Sequence, residues 1–131
     1  MYYVDRAHSW EVAGKYVETV SDLRVAVELD PKNVQAHNSM AWMLATCPDE
    51  SFRDGVKALE LATKANALSD RKNQYVLGTL AAAYAESGDF QKAVEWQEKA
   101  LELAPDEQKD DFRSRLVLYK SGKPYRQKAD E

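Results

Sequence analysis

Residues 74–107, QYVLGTLAAAYAESGDFQKAVEWQEKALELAPDE, decide the fold of this chain. Their first half carries apolar residues spaced three, one and three apart, at Leu77, Leu80, Ala81 and Tyr84. This spacing predicts one apolar stripe along a helix. Gly88 ends that helix, Asp89 can cap the next one, and Pro105 stops the second helix. The stripe continues on the second helix at Phe90, Ala93, Val94, Gln97, Ala100 and Leu101.

Two weaker copies of the same pattern precede this stretch. Gly14 stands 74 residues before Gly88, and Pro31 stands 74 residues before Pro105. The middle copy has its stripe at His37, Met40, Ala41, Leu44, Ala58, Ala62 and Ala65, with extra residues at positions 46–53 between its helices. We therefore predict three helix-turn-helix repeats, over about residues 1–33, 34–73 and 74–107.

Polar residues at the helix starts agree with this register. Asn33 and Asn73 precede the first helices of the second and third copies, and Asp54 and Asp89 precede the second helices. Asn and Asp are preferred at this position because their side chains accept hydrogen bonds from free backbone N–H groups. We therefore predict that all four are N-caps.

A further helix is predicted after the repeats, over about residues 107–120. Phe112, Leu116 and Tyr119 are spaced four and three residues apart, and the other side of the helix carries the charged residues Asp110, Asp111, Arg113 and Arg115. Such a helix covers the exposed end of a repeat stack. We expect one domain over residues 1–122, followed by a flexible tail over residues 123–131.

The composition excludes several classes of function. The 131 residues are 44% apolar and 31% charged, and the net charge is −4, so neither nucleic acid nor an acidic membrane is expected as a partner. The single cysteine, Cys47, fits a reducing compartment. With no apolar run long enough for a membrane span and no targeting signal, we expect a cytoplasmic fragment of a longer chain.

The residues that carry most enzyme chemistry are isolated in this sequence. His8 and His37 have no Cys or His at metal-ligand spacing, and Cys47 has no base near it in the sequence. Phosphate-binding, nucleophile-elbow and zinc-protease motifs are absent. We predict no enzyme activity, no cofactor and no metal site.

The repeat pattern resembles the tetratricopeptide repeat (TPR). The third copy matches the motif at Leu77, Leu80, Ala81, Tyr84, Gly88, Phe90, Ala93, Ala100 and Pro105. It departs at Gln97, where the family prefers an aromatic residue. The second and third copies together also look like TPR segments of large multidomain bacterial proteins, notably from planctomycetes. The resemblance implies an all-α, right-handed solenoid of seven helices, with three repeats and the C-terminal cap.

The same resemblance implies where a ligand would bind. In TPR stacks the first helix of each repeat lines a concave groove. The corresponding positions here are Val4, His8, Glu11, Gln35, Asn38, Ser39, Trp42, Tyr75, Gly78, Thr79 and Ala82. TPR domains that hold chaperone tails have clustered Lys, Arg and Asn in the groove, whereas here no basic residue joins Asn38. We therefore do not expect a chaperone carboxylate clamp.

Two main functions are compatible with this sequence, besides a minor third, which is anion or nucleic-acid binding through the basic tail at Lys120, Lys123, Arg126 and Lys128. The first is a non-catalytic module that binds a peptide or a partner domain in the groove. The alternative is a structural segment that packs on other repeats of its parent protein or on another copy of itself, through an uncapped N-terminal end. Whether Trp42 is exposed in the groove or packed against a neighbouring helix stays open at this stage, as does the role of residues 46–53.

Overall fold

The computed structural model describes residues 16–127, and this part of the chain is helical without β-strands. Its six α-helices are α1 Tyr16–Leu29, α2 Val34–Thr46, α3 Gly55–Leu68, α4 Gln74–Glu86, α5 Phe90–Leu103 and α6 Lys109–Lys120. Two short 3₁₀ helices, Glu50–Phe52 and Asp106–Gln108, precede α3 and α6. The first of the seven predicted helices falls on residues 1–15, outside the described residues.

The four predicted N-caps are confirmed. In each case a side-chain oxygen accepts a backbone N–H from the first helical turn, at Asn33, Asp54, Asn73 and Asp89. The Asn33 oxygen lies 2.8 Å from the amide nitrogen of Ala36. Because each cap satisfies a donor that the helix itself leaves free, the four residues fix where α2 to α5 begin.

A glycine ends α4, and an unexpected left-handed turn ends α3. Gly88 has a φ of +88°, and the turn it forms lets the Asp89 amide donate to the Tyr84 carbonyl at 2.9 Å. At the end of α3, where the closing proline of the repeat is missing, Asp70 and Arg71 have φ values of 58° and 62°. Both residues have a left-handed backbone conformation, which is uncommon for residues other than glycine, and they turn the chain toward α4.

The core forms where small residues let helices approach closely. Contacts join α2 to α3, α3 to α4 and α4 to α5, and α2 also packs directly against α4. Six predicted small positions are fully buried, at Ala58, Ala62, Ala65, Ala81, Ala93 and Ala100. Larger side chains such as Leu23, Met43 and Leu80 fill the remaining space. The first helices of two successive repeats therefore lie side by side.

The capping helix α6 is held on α5 by apolar contacts and one buried hydrogen bond. Phe112, Leu116 and Tyr119 are buried, as the spacing predicts. Gln97 is also buried, and its side-chain Nε2 donates to the Phe112 carbonyl at 2.9 Å. A buried amide needs such a partner. The residue that departs from the repeat motif thus connects the last repeat to its cap.

The extra residues of the middle repeat form an ordered turn beside α1. Asp49 caps the 3₁₀ helix, and the ring of Phe52 lies 5.8 Å from that of Tyr16. Arg53 donates to the Cys47 carbonyl at 2.7 Å and lies 3.6 Å from the Glu86 carboxylate. The turn therefore packs on α1 and the end of α4.

The described part of the C-terminal tail, residues 123–127, lies against the repeats. The Tyr125 ring is 5.6 Å from the Trp42 ring, and the Gln127 amide donates to the Thr46 carbonyl at 2.8 Å. Arg126 pairs with Glu86 at 2.8 Å. These contacts place the segment across the C-terminal ends of α2 and α4, which the sequence analysis did not predict.

Candidate functional site

A pocket of about 200 Å³ opens between α2, α4 and α6. Eight residues line it: Asn38, Ser39, Trp42, Tyr75, Gly78, Thr79, Phe112 and Arg115. The first six of these are groove positions that the sequence analysis proposed. Asn38 and Trp42 are four residues apart on α2, as are Tyr75 and Thr79 on α4, so each pair lies on one face of its helix.

Trp42 is both packed and part of the pocket wall. Its side chain is half-buried against the core cluster of α2 to α4. Its ring also faces the ring of Tyr125 and lies 5.6 Å from the guanidinium carbon of Arg115. Trp42 is therefore packed against its neighbouring helices and also partly exposed in the groove.

Tyr75 is the most exposed aromatic residue of the pocket, with 51% of its surface accessible. Its hydroxyl accepts a hydrogen bond from the Gln108 side chain, which holds the ring beside α6. Thr79 is buried beneath it and donates its hydroxyl to the Tyr75 carbonyl at 3.0 Å. The Tyr75 ring is therefore accessible to a ligand, whereas the Thr79 hydroxyl already donates its hydrogen to the backbone.

Two polar atoms of the pocket lack partners. The Oδ1 atom of Asn38 and the Nε atom of Arg115 are buried, and neither has a hydrogen-bond partner within the described structure. A buried polar group without a partner costs about 1–3 kcal/mol. A ligand that pairs with these atoms recovers that free energy on binding.

Phe112 and Arg115 are the two pocket residues that the sequence analysis missed, and Arg115 is the charged one. It comes from the capping helix, where its neighbours Asp110, Asp111 and Arg113 indicated a solvent-exposed charged side. Its position three residues after Phe112 places it beside the apolar face of the helix. This spacing could have indicated from the sequence that Arg115 lies near the groove. The prediction that no basic residue joins Asn38 in the groove is wrong.

Comparison with known families agrees with the helical repeats seen in the structure. The family model of the tetratricopeptide repeat matches residues 1–116. This protein belongs to the tetratricopeptide repeat family. TPR repeats generally mediate protein–protein interactions, and the family is generally non-catalytic. The comparison with curated proteins found no match.

Some proposed groove residues of this TPR protein do not line the pocket. Ala82 is buried in the core cluster instead, because its face of α4 packs against neighbouring helices. Gln35 is exposed on α2 and does not line the pocket. Val4, His8 and Glu11 lie outside the described residues.

The described TPR residues contain no cluster of three or more groups able to hold a metal. Cys47 is fully buried below the turn that follows α2. None of the six described helices has the length and apolar character needed to cross a bilayer.

His37 lies on the packing side of α2, as the sequence analysis predicted, and is buried. Neither ring nitrogen has a hydrogen-bond partner in the described structure. Burial lowers the pKa of His37 below its ordinary value of 6.5; the Lys64 charge lowers it further, and the Asp30 charge opposes the shift. The folded protein therefore keeps this ring neutral at a pH where the unfolded chain binds a proton.

The titration of His37 predicts a loss of stability in mild acid. Because the unfolded state binds the extra proton, the free energy of unfolding falls as the pH drops through 6.5 toward the lower folded pKa. Urea denaturation between pH 7.5 and 5.5 measures this slope, and His37→Gln should flatten it. An unchanged slope in that variant would assign the acid sensitivity to other groups.

Proposed function

We propose that this TPR domain is a non-catalytic interaction module that holds an extended peptide segment of a partner protein in the groove. The observation that supports this proposal is the pocket between α2, α4 and α6, which combines aromatic walls with the unpartnered Asn38 oxygen. In keeping with the resemblance to large bacterial proteins, the domain would act as a scaffold within a longer chain.

The aromatic walls supply the apolar part of the proposed binding. Trp42, Tyr75 and Phe112 face one space, and aromatic residues contribute much of the binding energy at protein interfaces. Covering one large apolar side chain is worth about 1.5–3 kcal/mol. The pocket volume suits one such side chain of a bound segment, which anchors it between α2 and α6.

The polar atoms explain why a peptide suits the pocket better than a purely apolar ligand. An extended peptide has backbone N–H and C=O groups that are not paired within a helix or sheet. The Asn38 side-chain amide can pair with both kinds of group. A hydrocarbon ligand would leave the Asn38 oxygen buried without a partner.

Affinity capture from a lysate of the source organism tests this proposal. Bait proteins are the wild type, Tyr75→Ala, and the Trp42→Ala/Tyr75→Ala double variant. Tyr75→Ala removes a half-exposed ring and leaves the core in place, so it separates loss of binding from loss of folding. We expect the double variant to lose the captured partner and Tyr75→Ala to reduce its recovery, with both retaining helical circular dichroism.

The matched control removes apolar side chains away from the groove. Val56 on α3 and Leu103 on α5 are exposed, at 72% and 46%, and neither lines the pocket. The double variant Val56→Ala/Leu103→Ala should capture the same partner as the wild type. Loss of the partner in this control together with its full retention in the groove variants would place the binding surface on the second helices and overturn the proposal.

A further inference from the structure

Arg115 carries a positive charge that no acidic residue in the described range 16–127 balances. Three other arginines form ion pairs: Arg53 and Arg126 both pair with Glu86, and Arg113 pairs with Asp110. Within residues 16–127, no ion pair includes Arg115, and its Nε atom is buried without a hydrogen-bond partner. Its charge therefore faces the pocket unneutralised.

Three aromatic rings surround the Arg115 guanidinium. Its central carbon lies 5.0 Å from the centre of the Phe112 ring, 5.5 Å from that of Tyr125 and 5.6 Å from that of Trp42. Ring faces attract a cation, but they do not replace the oxygen acceptors that its N–H groups require. The rings hold the fork of donors in place and restrict its side-chain freedom, which lowers the entropic cost of binding an anion.

Resting on the proposed function, we infer that the bound segment carries an aspartate or glutamate side chain whose carboxylate accepts hydrogen bonds from Arg115. A carboxylate matches the planar donor fork of a guanidinium. The neighbouring apolar side chain of the segment packs on Trp42 and Tyr75. Arg115 belongs to the capping helix, so the repeats themselves do not supply this contact.

The charge count favours a carboxylate over a phosphate. The eight lining residues include one cation, Arg115, and no acidic side chain. One carboxylate neutralises this charge, whereas a phosphate dianion would keep an excess negative charge inside a partly apolar pocket. The net charge of −4 on the whole chain opposes an acidic ligand, but screening limits its range to about 8 Å in physiological salt. The local charge of Arg115 therefore determines the preference for a carboxylate more than the net charge of the whole chain does.

Nuclear magnetic resonance titration of the full chain tests this inference with three N-acetylated tripeptides. The probes are acetyl-Leu-Glu-Phe-amide, its glutamine counterpart, and the glutamine peptide with a free C-terminal carboxylate. We expect the glutamate amide to shift the Trp42 indole N–H and Arg115 Nε–H signals and to bind about 10-fold more tightly than the glutamine amide. Arg115→Gln should abolish this preference.

The control substitution is Arg113→Gln, on the same helix, where the side chain is exposed and paired with Asp110. It should keep the preference for glutamate, and dispersed spectra confirm that both variants fold. The inference is overturned if the glutamine amide binds equally well, if Arg115→Gln keeps the preference, or if no tripeptide binds at millimolar concentration. Binding of the free-terminus peptide alone would also overturn it, by assigning Arg115 to a chain end.

Affinity capture with the Arg115→Gln and Trp42→Ala/Tyr75→Ala variants distinguishes a failure of this inference from a failure of the proposed function. If Arg115→Gln captures the partner as well as the wild type does while Trp42→Ala/Tyr75→Ala does not, the peptide groove stands and the carboxylate assignment fails. If neither variant affects capture, both fail.

Discussion

Deleting residues 105–131 is expected to abolish cooperative folding. The deletion removes Phe112, Leu116 and Tyr119, which are 4%, 8% and 1% exposed, and uncovers the apolar surfaces of α4 and α5 beneath them. Burial of three such side chains is worth about 5–9 kcal/mol in total. Since single domains are stable by only about 5–15 kcal/mol, this loss is comparable to the whole free energy of unfolding.

The deletion also removes the acceptor of a buried hydrogen bond. Without α6, the Gln97 side chain loses the Phe112 carbonyl and pairs with water instead, so only the net contribution of this hydrogen bond, about 0.5–1.5 kcal/mol, is added to the cost. Thermal unfolding followed by circular dichroism measures the effect. We expect a broad, shallow transition or aggregation in place of a single sharp transition.

A shorter deletion is the control for this experiment. Removing residues 123–131 takes away the Tyr125 and Arg126 contacts but leaves α6 in place. We expect a sharp transition with a loss of about 1–2 kcal/mol, because the removed side chains are half-buried and one partly exposed ion pair contributes little. A sharp transition in the longer deletion as well would show that the repeats fold cooperatively without α6.

Two helical glycines should respond in opposite directions to the same substitution. A Cβ atom added at Gly55 would lie 2.8 Å from the Ser87 hydroxyl oxygen and 3.1 Å from the Ser87 amide nitrogen. The start of α3 therefore packs directly on the backbone at the end of α4. Gly55→Ala should lower the free energy of unfolding by about 1–3 kcal/mol, because the helices must move apart.

At Gly78, in contrast, an added Cβ meets only ordinary contacts. The nearest atoms are a Phe112 ring carbon at 3.7 Å and the Gln97 side-chain oxygen at 3.9 Å. Since alanine favours helix over glycine, Gly78→Ala should raise the free energy of unfolding by about 0.5–1 kcal/mol. Urea denaturation of both variants measures these changes; equal effects of the same sign would contradict the helix packing described at Gly55.

The local pattern of the sequence predicts most of this fold. Cap residues such as Asn33 and Asp89 act on their own helix, and the spacing of Leu77, Leu80 and Ala81 identifies the buried face of α4. Both signals operate within a few residues, so a single sequence contains them. The groove face of α2 and α4 follows from the same periodicity once the repeat register is known.

The contribution of the C-terminal segment depends on contacts between distant residues. Which face α6 turns toward the pocket is set by the hydrogen bond from Gln97, fifteen residues before Phe112, and by packing of Tyr119. The tail is placed by Tyr125 and its contact with Trp42, far apart in the sequence. Local charge patterning therefore assigned Arg115 to solvent, although the structure brings it into the pocket.

Amide hydrogen–deuterium exchange and side-chain shift mapping of the captured partner complex test the central claim most directly. We expect binding to perturb the Trp42 indole and the Tyr75 and Arg115 side chains, and to slow amide exchange along α2 and α4 on the groove side. The second helices α3 and α5 should remain unchanged on their exposed faces. Perturbation confined to α3 and α5, with the signals of Trp42, Tyr75 and Arg115 unmoved, would contradict it.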